Sequence, residues 1–245
     1  MTTGGQGPEV EPGSGAGRDP WAHRRGEPRT FAMAWVCFLF VAAVLSLSLG
    51  GALGLVSTDV YRGSARVMLD VVGVGLGVLW PMLRLSQERP ARVRRAMVQD
   101  ALVVLGTLQV VALPQMLPWM GAWPPEPVLA LGACYASWTM IVSGVLGLWW
   151  TRPGVSSWIV MAGLVGMECV GPVLTLLSGE WSRGPDRAWW GTAALTASPL
   201  TMAREVLADR TYLGAAAAVD GAHWATIGLV GAVGGVLWAI TWRRR

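Results

Sequence analysis

The chain of 245 residues contains no lysine and no asparagine, and only 14% of its residues are charged. Without lysine there is no Walker A loop of the G-x-x-x-x-G-K-[ST] type and no Schiff-base lysine, so this chain cannot hydrolyse ATP by that machinery. Because 53% of the residues are hydrophobic and the mean hydropathy is +0.47, the composition also excludes an ordinary water-soluble globular domain.

Cysteine and histidine are scarce as well. The three cysteines, Cys37, Cys134 and Cys169, each lie in an apolar run, so we expect buried side chains and neither disulfides nor thiolate metal ligands. One of the two histidines, His23, lies in the polar N-terminal segment, which leaves no pair for bis-histidine haem ligation. We therefore predict no catalytic residue, no metal site and no cofactor.

Long apolar runs make up most of what is present. Residues 1–30 are rich in glycine, proline and charge and predict a disordered cytoplasmic tail, whereas 31–245 predict one membrane domain. The predicted spans are 31–56, 66–85, 98–117, 128–150, 155–178 and 222–242. Each is about 20 residues long, which matches a hydrocarbon core of about 30 Å. The sequence thus predicts an all-α bundle of six transmembrane helices. A signal peptide is the alternative for the first run, but its apolar part is too long.

The arginines predict the orientation of this bundle. Thirteen of the 19 fall in segments that face the cytoplasm if both termini are inside. Four of the other six lie in the long loop 179–221, where charge has little influence on topology. We therefore expect a multi-pass protein of the cell inner membrane with both termini cytoplasmic. This distribution explains the basic balance without a nucleic-acid partner.

Two segments between spans carry polar patterns. In LSQERPARVRRAMVQD, Pro90 followed by Arg92, Arg94 and Arg95 predicts a short basic helix on the cytoplasmic face. It would contact anionic membrane lipid or dock a cytoplasmic partner, and the pattern leaves both open. In the long loop, a Ser-Pro start and apolar residues on one face predict an amphipathic helix over 198–208 at the outer surface.

The order of these features resembles the permease subunits of type-2 ABC exporters. The resemblance covers 31–245 as an architecture, with RPARVRRAMVQDALVVLG and LTASPLTMAREVL as its local motifs. The coupling helix of that family would correspond to 90–97, and its outer re-entrant or surface helices to 198–208. The amphipathic helix that often precedes the first span in that family has no counterpart in WAHRRGEPRT.

The resemblance implies a function and partners. It implies export of a substrate by alternating access, driven by a separate ATP-binding subunit. It also implies that the permease pairs with a second copy or with a related permease. Arg92, Arg94 and Arg95 would then be the residues that contact the ATPase.

Two carboxylates are predicted to lie inside spans. Glu168 lies about 14 Å from the outer end of the fifth span, so it should be paired, protonated or facing water. A substrate or proton site and a structural role near Gly171 and Pro172 are the two alternatives. Asp70, about 6 Å below the outer edge of the second span, is expected to reach the interface.

A membrane-embedded enzyme and a membrane scaffold are the alternative classes to a permease. Ser143 and His223 suggest a rhomboid-like protease, but their predicted depths differ by about 20 Å, too far for hydrogen bonding. A non-catalytic membrane scaffold has no sequence signature and stays open. The small-xxx-small pairs Gly73/Gly77 and Gly231/Gly235 are expected to allow close helix packing, within one bundle or across a dimer.

Overall fold

The computed structural model describes residues 28–51, 58–152, 154–208 and 217–243, which form helices and turns and no strand. The α-helices are α1 (Pro28–Gly51), α2 (Thr58–Val74), α3 (Trp80–Leu85), α4 (Val93–Ala112), α5 (Pro125–Trp150), α6 (Ser157–Leu177), α7 (Trp189–Thr196), α8 (Met202–Val206) and α9 (Gly221–Arg243). A π-helical turn, Gly75–Leu79, joins α2 to α3, and 3₁₀ turns cover Leu113–Met116 and Glu180–Asp186.

Five helical segments are long and apolar enough to cross a bilayer. They are Tyr61–Leu85, Val93–Met116, Pro125–Trp150, Ser157–Leu177 and Gly221–Arg243. They correspond to the last five predicted spans. The helix of the first predicted span is α1, whose described apolar part, Thr30–Ser46, is shorter than these five. The chain is thus all-helical and fits a multi-pass membrane protein.

The predicted boundaries differ from the observed ones where polar residues continue a helix. The second helix begins at Thr58, not at 66, because the sequence around Arg62 and Arg66 is polar but still helical. Most of the predicted tail 1–30 lies outside the described residues, although Pro28 already starts α1. The predicted end of the first span, 52–56, lies outside them as well.

Helix α5 is the centre of the bundle. In its most apolar stretch 72% of the residues are buried, and α9 and α4 pack along it. Glycines allow this approach: a Cβ on Gly144 would lie 2.8 Å from the Cβ of Leu237, and one on Gly234 would lie 2.7 Å from the Cβ of Met140. Helix α6 is peripheral, with only 17% of the residues in its most apolar stretch buried, which leaves an apolar face suited to lipid.

The long helices alternate in direction, so the bundle has two ends. At one end the Arg89 guanidinium lies 4.8 Å from the Trp149 ring, and Arg94 Nη2 donates to the Trp242 carbonyl at 2.6 Å. Arg84 lies at this end too, over the ring of Phe31 near the start of α1. We call it the arginine-rich end.

At the opposite end two short helices fold back against the bundle. Arg187, just before α7, pairs with Glu205 in α8 at 2.5 Å, so the two legs of Trp189–Val206 start and finish side by side. We call Trp189–Val206 the hairpin, and this end of the bundle the hairpin end. Arg66 of α2 is fixed there as well, because its Nε donates to the Leu207 carbonyl at 3.1 Å.

Candidate functional site

The hairpin does not lie on the surface of the bundle but packs into it. Its tip contacts three long helices: Trp138 Nε1 of α5 donates to the Ala197 carbonyl at 2.8 Å, and Ser198 Oγ donates to the Glu168 carbonyl of α6 at 2.6 Å. A Cβ on Gly73 of α2 would lie only 2.0 Å from the Pro199 carbonyl oxygen. The tip is therefore in direct contact with the middle of the helices.

The depth of the tip follows from helical rise. Gly73 is twelve residues from Tyr61, Trp138 is thirteen from Pro125, and each of those two residues begins a candidate span. At 1.5 Å per residue, these two contacts lie about 18–20 Å from the hairpin end, and the contact at Glu168, nine residues from Leu177, lies about 14 Å from it. All three are near the middle of a 30 Å hydrocarbon layer. Non-helical backbone at such depth is tolerated only when protein surrounds it, and the Ser198–Thr201 turn meets this condition because its four residues are buried or half-buried.

The predicted helix over 198–208 is wrong. The observed α8 covers only Met202–Val206 and starts after Thr201, while Ser198 belongs to the turn between the two legs. Ser198 Oγ accepts from the Leu200 amide at 3.2 Å, as in a capped turn, but donates its own hydrogen to α6. The tertiary contact thus competes with the N-cap that the local sequence indicates.

Glu168 lies beside this tip and is buried, with 1% of its surface exposed. Its Oε1 atom is buried without a hydrogen-bond partner, and a Cβ on Gly77 would lie 1.3 Å from it. The carboxyl therefore fills the space that the missing side chain of Gly77 leaves. The sequence predicts that Glu168 is a polar residue inside a span. The structure shows that the hairpin tip and the second span surround it.

The glycine-rich sequence GVGLG explains why the second span can receive these neighbours. Gly73 and Gly77 meet the hairpin tip and Glu168, whereas Gly75 meets Phe38 of α1, whose ring would lie 2.2 Å from an added Cβ. The segment forms a π-helical turn in which the Trp80 amide donates to the Gly75 carbonyl. Such turns interrupt the regular i→i−4 hydrogen bonding of a helix and are frequent at functional sites. The expected close packing of the Gly73/Gly77 pair therefore occurs within one bundle.

Asp70 lies deeper than predicted. It is nine residues from Tyr61, about 14 Å along the helix, and is half-buried, with Oδ1 buried and without a partner. The predicted depth of about 6 Å counts from a span that starts at residue 66, whereas the observed helix starts at Thr58. The nearby Tyr135 hydroxyl donates to the Leu69 carbonyl at 2.9 Å.

An ionic network that the sequence did not reveal fixes the hairpin end. Glu205 pairs with Arg187, and its Oε1 lies 3.8 Å from His223 Nε2 at the start of α9. His223 Nδ1 lies 2.7 Å from Asp220 Oδ1, which also accepts from the Ala222 amide. Partial burial would raise the pKa of Asp220, but hydrogen bonds from the His223 side chain and backbone lower it below its usual value. No local spacing signals this network, because its members come from three elements.

A buried ion pair lies at the arginine-rich end. Arg84 and Asp100 are 5% and 1% exposed, and Arg84 Nε donates to Asp100 Oδ2 at 2.6 Å while Nη2 contacts Oδ1. This bidentate geometry fixes the end of α3 against α4. The Phe31 ring lies 4.6 Å from the Arg84 guanidinium carbon and so covers its face.

The predicted basic helix over 90–97 is also wrong. Residues 88–92 are not α-helical, and α4 begins only at Val93 and continues into the third span. Pro90 therefore belongs to the connection and does not open a helix. Arg94 and Arg95 lie in the first turn of α4, where the helix dipole disfavours positive charge. Arg94 and Arg95 therefore do not stabilise α4 through its dipole.

The three predicted contact arginines have different surroundings. Arg92 and Arg95 are exposed and line one cavity of about 340 Å³, together with Arg84, Glu88 and Gln99. Arg94 is exposed but turns towards α9, where its guanidinium carbon lies 5.5 Å from the Trp242 ring. Sequence spacing alone could not separate these two environments.

Ser143 and His223 do not come together. Ser143 Oγ donates to the Thr139 carbonyl at 2.6 Å and accepts from Trp238 Nε1 at 2.8 Å, whereas His223 lies in the network at the hairpin end. Both residues have partners that explain their burial. The predicted difference in depth agrees with these separate environments.

No protein-family model, curated protein or solved structure matches the chain. The class that the fold defines is that of a helical multi-pass membrane protein with a hairpin packed between its helices.

Proposed function

We propose that this protein is the permease subunit of an ABC-type export system, which moves its substrate by alternating access while a separate ATP-binding subunit supplies the energy. The observation that carries the proposal is the hairpin, whose tip contacts the second, fourth and fifth long helices near mid-membrane depth. Transporters commonly build their sites from interrupted helices at this depth.

The arginine-rich end supports the proposed partner. Arg92 and Arg95 are exposed around a cavity, and the rigid α4 connects this surface to the bundle interior, where it packs on α5. A protein that binds this surface could therefore displace α4 as one body. Because the chain has no lysine for a Walker A loop, such a partner would have to bring the ATPase activity.

Six spans with both termini in the cytoplasm are part of the proposal. Helix α1 has 24 residues, about 36 Å at the usual rise, which is long enough to cross. Phe31 near its start and Trp242 near the end of α9 both contact arginines of the arginine-rich end. Positive charge is typical of the cytoplasmic side. The pairing of two permeases is carried over from the resemblance to type-2 ABC exporters.

Affinity purification in mild detergent tests the proposal. Tagged full-length protein should retain a P-loop ATPase, identified by mass spectrometry, and the complex should hydrolyse ATP. The double variant Arg92→Glu and Arg95→Glu should insert normally but lose the ATPase at least about tenfold, because the charge complementarity of the surface is reversed.

The matched control is Arg152→Glu, which reverses an exposed charge at the same end but outside the cavity. It should leave the association unchanged. A retained ATPase in the double variant would remove the docking assignment. Partners without an ATP-binding protein would favour the membrane scaffold instead.

A further inference from the structure

The side of the Glu168 carboxyl that faces the second span leaves no space for a ligand larger than a proton. The Oε1 atom is buried without a hydrogen-bond partner and lies against Gly77, where even a methyl group would collide at 1.3 Å. A metal ion or an ammonium group at Oε1 would need to displace the second span. A proton on the carboxyl needs no such displacement.

Within the described part of the chain, no ion pair is seen between a positive charge and this carboxyl. The ion pairs of Arg84, Arg183, Arg187 and His223 do not include Glu168. An ionised carboxylate without a partner at membrane depth costs several kcal/mol, so the neutral form is strongly favoured there.

The charged and titratable groups on the elements packed against Glu168 lie at a distance or already have partners. Along the second span, Asp70 and Arg84 are each seven residues from Gly77, about 10 Å away, and Arg84 is paired with Asp100. On the hairpin, Arg204 is exposed and Glu205 lies in the network at the hairpin end. On α5 the titratable groups are Glu126, which is exposed at the start of the helix, Cys134 and the Tyr135 hydroxyl, which donates to the Leu69 carbonyl. On α6 itself Cys169 adjoins Glu168.

Glu168 is also linked to the hairpin tip. The Glu168 carbonyl accepts from Ser198 Oγ at 2.6 Å, and one turn further along α6 a Cβ on Gly171 would lie 2.1 Å from the Ala194 carbonyl oxygen. Any movement of α6 away from the second span would therefore separate the hairpin from its contacts.

We infer that Glu168 is a proton-binding site that holds α6 and the hairpin against the second span, and that loss of the proton releases them. Ionisation leaves an unpaired charge against the π-turn, and α6 must move outward or admit water to solvate it. This inference does not depend on an ATPase partner, because it concerns only groups within this chain.

Infrared difference spectroscopy on the full-length protein in lipid nanodiscs tests the site directly. The C=O stretch of a protonated carboxylic acid is separate from the bands of a carboxylate. At about pH 7, where an ordinary exposed glutamate is ionised, the wild type should show this band and Glu168→Gln should lack it. The control Glu126→Gln removes an exposed acid at the start of α5 and should leave the band unchanged. A spectrum of Glu168→Gln identical to that of the wild type in this region overturns the assignment.

Thermal unfolding of the wild type against pH tests the consequence, and it remains informative if the glutamine variant does not fold. A proton that is bound in the folded state but lost on unfolding makes stability decrease as pH rises. The unfolding equilibrium should shift towards unfolding by up to about tenfold per pH unit above the ordinary glutamate pKa of about 4.3, as long as the folded chain still holds the proton that the unfolded chain has lost. Glu168→Gln should flatten this slope. A flat wild-type profile, or an equal slope in both proteins, would overturn the proposal.

Discussion

The arginines at the two ends of the bundle have different surroundings. At the hairpin end three of them bind fixed acceptors within the chain: Arg62 Nε donates to the Gly121 carbonyl at 2.8 Å, Arg66 to that of Leu207, and Arg187 pairs with Glu205. These contacts close the bundle around the hairpin, so this end is held together from within.

The arginine-rich end contains one buried guanidinium and several exposed ones. Arg84 is enclosed by Asp100 and Phe31, whereas Arg92 and Arg95 point to a cavity that opens to the surface. An arginine therefore holds elements together where hydrogen-bond acceptors surround it. Where acceptors do not surround it, an arginine remains available for partners or lipid. Three predictions test this difference, in order of decreasing expected effect on stability.

Replacing Arg84 should have the largest effect. Arg84→Leu leaves the Asp100 carboxylate buried without a partner and should lower the free energy of unfolding by about 3–5 kcal/mol. Thermal unfolding in nanodiscs measures the loss. Combining Arg84→Leu with Asp100→Leu should recover most of it, because the pair is then replaced by apolar groups. A single variant as stable as the wild type would show that the pair is not needed.

Adding a side chain where the hairpin tip contacts the second span should have an intermediate effect on the free energy of unfolding. Gly73→Ala places a methyl group 2.0 Å from the Pro199 carbonyl oxygen. Because this oxygen belongs to the backbone, the clash can be relieved only if the backbone shifts. We therefore expect the free energy of unfolding to fall by about 1–3 kcal/mol. Gly63→Ala is the matched control in the same helix, where nothing lies within 4 Å. It should be neutral or stabilising by up to about 1 kcal/mol. Equal effects of the two substitutions would contradict the position of the tip.

Replacing an exposed arginine should change stability least. Arg95→Ala removes a side chain that lines the cavity, and the free energy of unfolding should stay within about 0.5 kcal/mol of the wild type. The same unfolding measurement compares it with Arg84→Leu. A loss of more than about 1 kcal/mol would assign Arg95 a structural role and weaken its role in docking a partner.

Much of the secondary structure could be predicted from the sequence because long apolar runs have few alternatives in a membrane. The five candidate spans coincide with predicted ones to within a few residues, except that the second and the third each start five residues earlier, where the polar residues around Arg62 and Arg94 are helical. The position of Glu168 inside a span followed from the same runs. The absence of a hydrogen-bond partner for the Glu168 Oε1 atom could not be predicted, because it depends on which helices face one another.

The tertiary arrangement could not be predicted for physical reasons that particular residues illustrate. The Ser198-Pro199 pair indicates a helix start by local chemistry, but the Glu168 carbonyl captures the serine hydroxyl and the helix starts later. Pro90 indicates a helix start as well, yet the chain forms helix only from Val93. Asp100 pairs with an arginine sixteen residues away, a contact that no helical spacing within one element reveals.

Cysteine labelling of right-side-out membrane vesicles determines whether the arginine-rich end faces the cytoplasm and the hairpin end faces outward. In a background with Cys37, Cys134 and Cys169 replaced by alanine, Ala91→Cys and Glu126→Cys place single thiols at exposed positions at the two ends. A membrane-impermeant maleimide should label Glu126→Cys in sealed vesicles and Ala91→Cys only after the membrane is permeabilised. Labelling of Ala91→Cys in sealed vesicles would contradict the account.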